Sequence, residues 1–184
     1  MKKTILFSFS LLLLSVLLFS TTNAQDSAYE ARNDQPDGTQ FVAVYIGAEN
    51  CGPCHLPENM EAVELMKNKF SMIADDHGWS FKAVGIALDH STEIGYNFLQ
   101  KNGEFDEMIL GNSWTNIGSE LFIFGADDVF PAIPQIVLYK QDVTRNRGLI
   151  EFSERYGVQR IMLGELRSWL EDGAKWEAIS QSNK

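Results

Sequence analysis

Cysteine, histidine and proline are scarce in this chain: 184 residues hold two cysteines, three histidines and five prolines. Two cysteines exclude the disulfide framework that staples small secreted domains. They also argue against zinc, because two thiolates and one neighbouring imidazole leave a tetrahedral site without a fourth ligand. Basic residues are few as well, 15 Lys and Arg against 25 Asp and Glu, for a net charge of −10. A surface of that sign repels phosphate backbones and anionic lipid, so nucleic acid is excluded as a partner. The longest apolar run, Ile5 to Phe19, is about 15 residues, short of the roughly 20 that cross a bilayer.

What is present suffices for one core. Hydrophobic residues make up 45% of the chain and charged residues 22%, with 12 Phe and 4 Trp, which gives no compositional case for disorder. Met1-Lys2-Lys3, the apolar run and Thr22-Asn23-Ala24 read as a cleavable signal peptide over 1–24. No cysteine lies near the cut to carry a lipid, so the expected product is a periplasmic or secreted protein with no membrane insertion after cleavage.

Residues 25–39 are polar, with Pro36-Asp37-Gly38 as a turn signal, and read as an exposed lead-in to one domain over 40–174. Gln40 to Gly47 and Phe81 to Leu88 are short apolar runs typical of strands buried on both faces. Between them Leu56, Met60, Val63, Phe70 and Ile73 fall at helical spacing until Gly78, so the strands form a parallel pair joined through a helix. Ser91 to Lys101 predicts a short helix capped by Ser91 and ended near Gly103. From Glu104 to Phe130 glycines interrupt the aromatic residues and only an irregular segment is legible. Gln135 to Tyr139 and Leu149 to Phe152 predict a hairpin across a polar turn at 142–148. Leu163, Leu166, Trp169 and Leu170 mark a last amphipathic helix ending at Gly173, and 175–184 is an uninformative tail.

Cys51 and Cys54 sit where the first strand hands over to the helix. A helix N-terminus favours the thiolate over the thiol, and Pro53 suits a first helical turn. Cys54, one turn on, is placed to close a disulfide with Cys51, so the pair suits thiol-disulfide exchange with Cys51 attacking and Cys54 resolving.

Cys51-Gly52-Pro53-Cys54 between strand and helix resembles the active site of the thioredoxin-like family, and Ala132-Ile133-Pro134 before a strand resembles that family's cis-proline loop. The resemblance runs from about Phe41 to Asp172 in order of elements. It implies an α/β thioredoxin-like fold: a central mixed four-stranded sheet flanked by helices, with an insertion at about 90–130. It also implies a cis Ile133–Pro134 bond opposite the cysteines, with Ile133 backbone groups pairing with substrate and Gly52 and Pro53 in support. Three positions depart from the pattern. Tyr45 stands where the family has a buried Asp, Asn50 where it has Trp, and Asn59 where it has Pro, with Pro57 nearby. Glu49, His55 and Glu58 are the candidates for the proton-transfer role of the missing acid.

The expectation is therefore a thiol-disulfide oxidoreductase acting on protein substrates, with a redox partner protein and no cofactor beyond its disulfide, the Gly-Pro pair favouring reduction. Cys51-x-x-Cys54-His55 also matches the attachment signature of c-type haem, with His55 as proximal ligand and Met60, Met66 or Met108 as distal ligand. A third reading is a binding module that uses Trp114, Phe122, Phe124 and Phe130 as a contact surface; the same aromatics as a satellite core under a long loop are favoured over it. His77 and His90 read as surface residues.

Overall fold

The computed structural model describes residues 28–32, 34–125 and 131–173. The expected signal peptide, Phe130 and the tail at 175–184 lie outside the described residues. Strand β1 (Gly38–Gly47) is the centre of the sheet, and every residue from Phe41 to Gly47 is buried, as its unbroken apolar sequence requires. On one side β2 (Ser80–Ala87) pairs with it in parallel, Tyr45 opposite Gly85; on the other β4 (Gln135–Asn146) pairs antiparallel, Tyr45 opposite Ile136. The short β3 (Glu107–Ile109) adds in parallel to the outer side of β2. Two further strands share the far side of β4: β5 (Leu149–Phe152) at one end and β6 (Tyr156–Met162) at the other.

Among the described residues the sheet therefore has six strands where four were expected, and β3 and β6 are the additions. β3 is three residues long, and β6 buries only Ile161, so neither carries a readable apolar pattern. The segment 142–146, expected as part of a polar turn, instead continues β4, with Val143 buried between exposed neighbours. The turn itself is Arg147-Gly148, both at positive φ, the two-residue geometry that suits the twist of a hairpin.

Helices α1 (Pro57–Asp76), α2 (Thr92–Gln100) and α3 (Leu163–Glu171) share one face of the sheet. Phe70 of α1 meets Phe41 edge to face, Phe98 of α2 packs on Tyr45, and Trp169 of α3 lies against Phe70. Ser91 caps α2 as expected, its Oγ accepting the Ile94 N–H. Lys67 of α1 is fully buried, yet its ammonium donates to the Asn102 and Glu104 carbonyls, pairs with Glu64 and sits 4.5 Å over the Phe105 ring. Burial lowers its pKa, and the Glu64 partner works against that shift. This pins α1 to the loop after α2, where Gly103 takes a positive φ and a β-carbon would collide with Glu64.

The opposite face is covered by the segment that sequence left irregular. It winds as a 3₁₀ turn at Ser113–Thr115, an α-turn at Ile117–Ser119 and a π-turn at Glu120–Phe124. Phe122 is buried and stacks on Tyr139, and Ile123 is buried too, so part of this segment is core as favoured. Phe124 is exposed and Trp114 half-buried beside it.

Gly118 lies so close to Ile86 that a β-carbon there would come within 2.7 Å of its side chain, whereas Gly164 in α3 faces open space. Gly118→Ala is expected to lower unfolding free energy by about 1–3 kcal/mol through overpacking. Gly164→Ala is expected to raise it by about 0.5–1 kcal/mol through lost chain entropy. Urea denaturation of both variants checks the pair of signs.

Candidate active site

β1 ends at Gly47, and a tight turn follows in which the Cys51 N–H donates to the Ala48 carbonyl at 3.1 Å. Cys51, extended at φ −90°, then caps a 3₁₀ turn over Gly52–His55, with Pro53 in its first positions where no N–H is needed. This turn does not run on into α1. Pro57 forces the residue before it out of helical conformation, and Leu56 accordingly sits at ψ 129°, so α1 starts afresh at Pro57. The expectation that Cys51 caps the long helix is corrected here. The cysteines lie on a separate single turn, and the dipole of α1 gives no account of Cys51 ionisation.

Cys51 and Cys54 form a disulfide with their Cα atoms 5.3 Å apart. Cys51 keeps 8% of its surface exposed and Cys54 keeps none. Both are therefore buried, Cys51 at the edge of the core and Cys54 within it. Ile46 pairs with Gln135 as the last register between β1 and β4, which sets Pro134 beside the point where the chain leaves for the cysteines. The Ile133–Pro134 bond is cis. Ile133 is half-buried against the core, and the Pro134 carbonyl accepts the Leu163 N–H that begins α3.

Of the three proton-transfer candidates, the structure gathers two into one cluster. Glu49 is held at both ends: its N–H donates to both Asp89 carboxylate oxygens at 3.2 Å, and its own carboxylate takes the Lys101 ammonium at 2.7 and 2.8 Å. His55 Nε2 lies 2.6 Å from the Glu49 carbonyl, which only accepts, so that nitrogen carries the proton. The His55 ring packs edge-on against Phe98. Glu58, by contrast, is exposed on the first turn of α1, apart from this cluster. Asn59 is buried and donates to the Pro53 carbonyl at 2.8 Å, tying the cysteine turn to α1.

Asp89, Lys101 and Phe98 were not singled out by sequence reasoning. The one signal for Asp89 was its place just past the carboxyl end of a buried strand, where open α/β sheets build their sites. Tyr45 fills the position of the missing acid with a phenol that is fully buried and has no hydrogen-bond partner among the described residues. It stacks on Phe105, and its hydroxyl reaches toward Gly47, where a β-carbon would come within 2.8 Å of it. Burial pushes its pKa well above the ordinary tyrosine value, so it stays a neutral donor.

A parallel β1–β2 pair, an antiparallel β4 on the other side of β1, the cysteine pair after β1 and the cis proline before β4 together decide the architecture. The fold is thioredoxin-like. No protein-family model and no curated protein matches the sequence. Among solved structures, an uncharacterized thioredoxin-like protein from Porphyromonas gingivalis aligns over 79% of this chain and 78% of its own, at 13% identity and a TM-score of 0.41. A member of the Sco family of cytochrome c oxidase assembly proteins, in which a disulfide switch has been identified, aligns over 78% and 82%, at 13% identity and a TM-score of 0.38. The thioredoxin-like assignment rests on this chain's own topology.

Removing the orphaned Tyr45 hydroxyl removes an unmet desolvation cost, so Tyr45→Phe is expected to raise stability by about 1 kcal/mol in chemical denaturation. Tyr29, in the segment expected to be an exposed lead-in, is instead buried edge-on against Phe81 with its hydroxyl donating to Asp106, because an aromatic side chain there finds the edge of the core. Tyr29, Tyr45 and Tyr139 all have raised pKa values, in each case chiefly from burial. Their contribution is complete below the unfolded tyrosine pKa of about 10 and is lost as pH climbs past it, because only the unfolded chain then ionises. Tyr45→Phe should make that alkaline loss shallower; an unchanged slope would contradict the burial seen here.

Proposed function

We propose that this protein is an exported thiol-disulfide oxidoreductase that exchanges disulfides with protein substrates. The observation that carries the reading is the Cys51–Cys54 disulfide just past the end of β1, with Cys51 buried but keeping a small opening to solvent and Cys54 fully enclosed. In the reduced protein the Cys51 thiolate attacks one sulfur of a substrate disulfide, forms a mixed disulfide and releases the other substrate sulfur as a thiolate. Cys54, deprotonated, then attacks the Cys51 sulfur, which releases the second substrate thiolate and restores Cys51–Cys54. Two electrons pass to the substrate, and a redox partner protein must return them. The reverse order oxidises a dithiol substrate; the Gly-Pro spacer inclines the reading toward reduction. Pro134 and Ile133 flank the pair as the platform for an extended substrate segment, and Gly52 and Pro53 shape the turn. Export to the periplasm or beyond belongs to the same proposal and rests on residues 1–24.

The haem arrangement does not fit these residues. Cys54 is enclosed and so has no path to a vinyl group, and His55 Nε2 is committed to the Glu49 carbonyl. Of the aromatics a purely binding role would use, Phe122 lies in the core, Trp114 is half-buried and Phe124 is exposed, so the exchange reading is preferred on the disulfide rather than on these residues.

Cys54→Ser is expected to accumulate mixed disulfides through Cys51 in the envelope of cells that express it, whereas Cys51→Ser accumulates few. Non-reducing electrophoresis followed by mass spectrometry reads both the amounts and the partners. Equal trapping by the two variants would overturn the assigned roles.

A further inference from the structure

The bond from His55 to Glu49 encloses the two cysteines. Glu49 lies two residues before Cys51 and His55 directly follows Cys54, so the Nε2–H donated to the Glu49 carbonyl closes a loop around the disulfide from outside. The Glu49 end of that loop is a fixed post. Its N–H is held by the Asp89 carboxylate, itself buried at the end of β2, and its side chain is held by Lys101 just after α2. The His55 end is steered by its edge-on contact with Phe98, 5.8 Å between ring centres. Asp89 comes from the end of β2, and Phe98 and Lys101 from the end of α2, all outside the cysteine turn, so the closure does not depend on the S–S bond for its position.

On the redox reading above, we infer that His55 is a positioning residue that sets the reduction potential of the cysteine pair. Reduction breaks the covalent link and frees Cys51 and Cys54 to separate. A hydrogen bond that still joins residues 49 and 55 limits that separation and raises the effective concentration of one thiol at the other. The disulfide is then easier to form and harder to reduce. This is a role apart from proton transfer: the Nε2–H is spent on a carbonyl, and its work is to hold geometry.

The test is equilibration of the purified protein with reduced and oxidised glutathione. In this exchange two glutathione thiols give two electrons and two protons to Cys51–Cys54, which yields two protein thiols and glutathione disulfide. His55→Phe keeps the ring against Phe98 and removes the donor, and His55→Gln keeps a donor of similar reach. His55→Phe is expected to lower the equilibrium constant for forming the disulfide about three- to tenfold, a full tenfold being about 30 mV toward easier reduction. His55→Gln is expected to stay near the parent protein. An unchanged or more reducing potential in His55→Phe overturns the inference, and so does an equal shift in both variants, because His55→Gln retains the donor and the effect would then not belong to the hydrogen bond. Far-ultraviolet circular dichroism confirms that each variant is folded, and His55→Leu, with the same expected loss, replaces a His55→Phe that is not. Because the potential is read without any protein substrate, failure of the trapping experiment leaves this result standing, and the converse holds too.

Discussion

The burial of β1 between a parallel and an antiparallel neighbour is the constraint on which the rest depends. A strand enclosed on both faces must satisfy its backbone polar groups within the sheet, so its register against β2 and β4 admits no slip. That register decides where the chain emerges. Four residues past Gly47 it reaches Cys51, and on the neighbouring strand the same level of the sheet carries Pro134. The register held by Val42, Val44 and Ile46 thus sets both the point where the chain leaves for the cysteines and the point where Pro134 enters β4.

Around the cysteines the structure changes from apolar to polar means of holding the chain. Pro57 interrupts the helix that would otherwise steady the turn, and without it the segment from Glu49 to Leu56 depends on side-chain partners: Asp89 and Lys101 on Glu49, His55 across to the Glu49 carbonyl, Asn59 on Pro53. A hydrogen bond to a charged group is worth about 1.5–3 kcal/mol, more than a neutral one, so the two contacts of Glu49, with Asp89 and with Lys101, outweigh the neutral Asn59 bond. The same logic recurs at Lys67, where a buried cation organises two carbonyls and Glu64 and thereby sets the loop that leads to Phe105, the ring beneath Tyr45.

Much of this was legible in sequence where the periodicity was strong. The two apolar runs at 40–47 and 81–88 are the central strands, the helical spacing from Met60 to Phe70 is α1, and Ser91 is the cap it promised to be. The cysteine pair and Pro134 were also legible, because their residue types and neighbours are unusual. What stayed hidden is half-buried or short. β6 exposes most of its side chains, β3 has three residues, and the run from Ser113 to Phe124 buries one side through a mixture of helical windings that no single period describes. The break at Leu56 was legible and went unread: a proline six residues after Cys51 was enough to separate the cysteine turn from the long helix. Asp89 and Lys101 had no local signature, since their roles exist only once β2 and α2 are set beside β1.

The two cysteines differ in access, Cys51 keeping a small opening to solvent and Cys54 none, and the fold around them is expected to survive their reduction. Alkylation of the reduced native protein, followed over time by peptide mass spectrometry, tests this most directly. Cys51 is expected to be modified first and Cys54 only slowly or on unfolding; equal rates at the two positions, or loss of the folded state on reduction, would rule out this inequality.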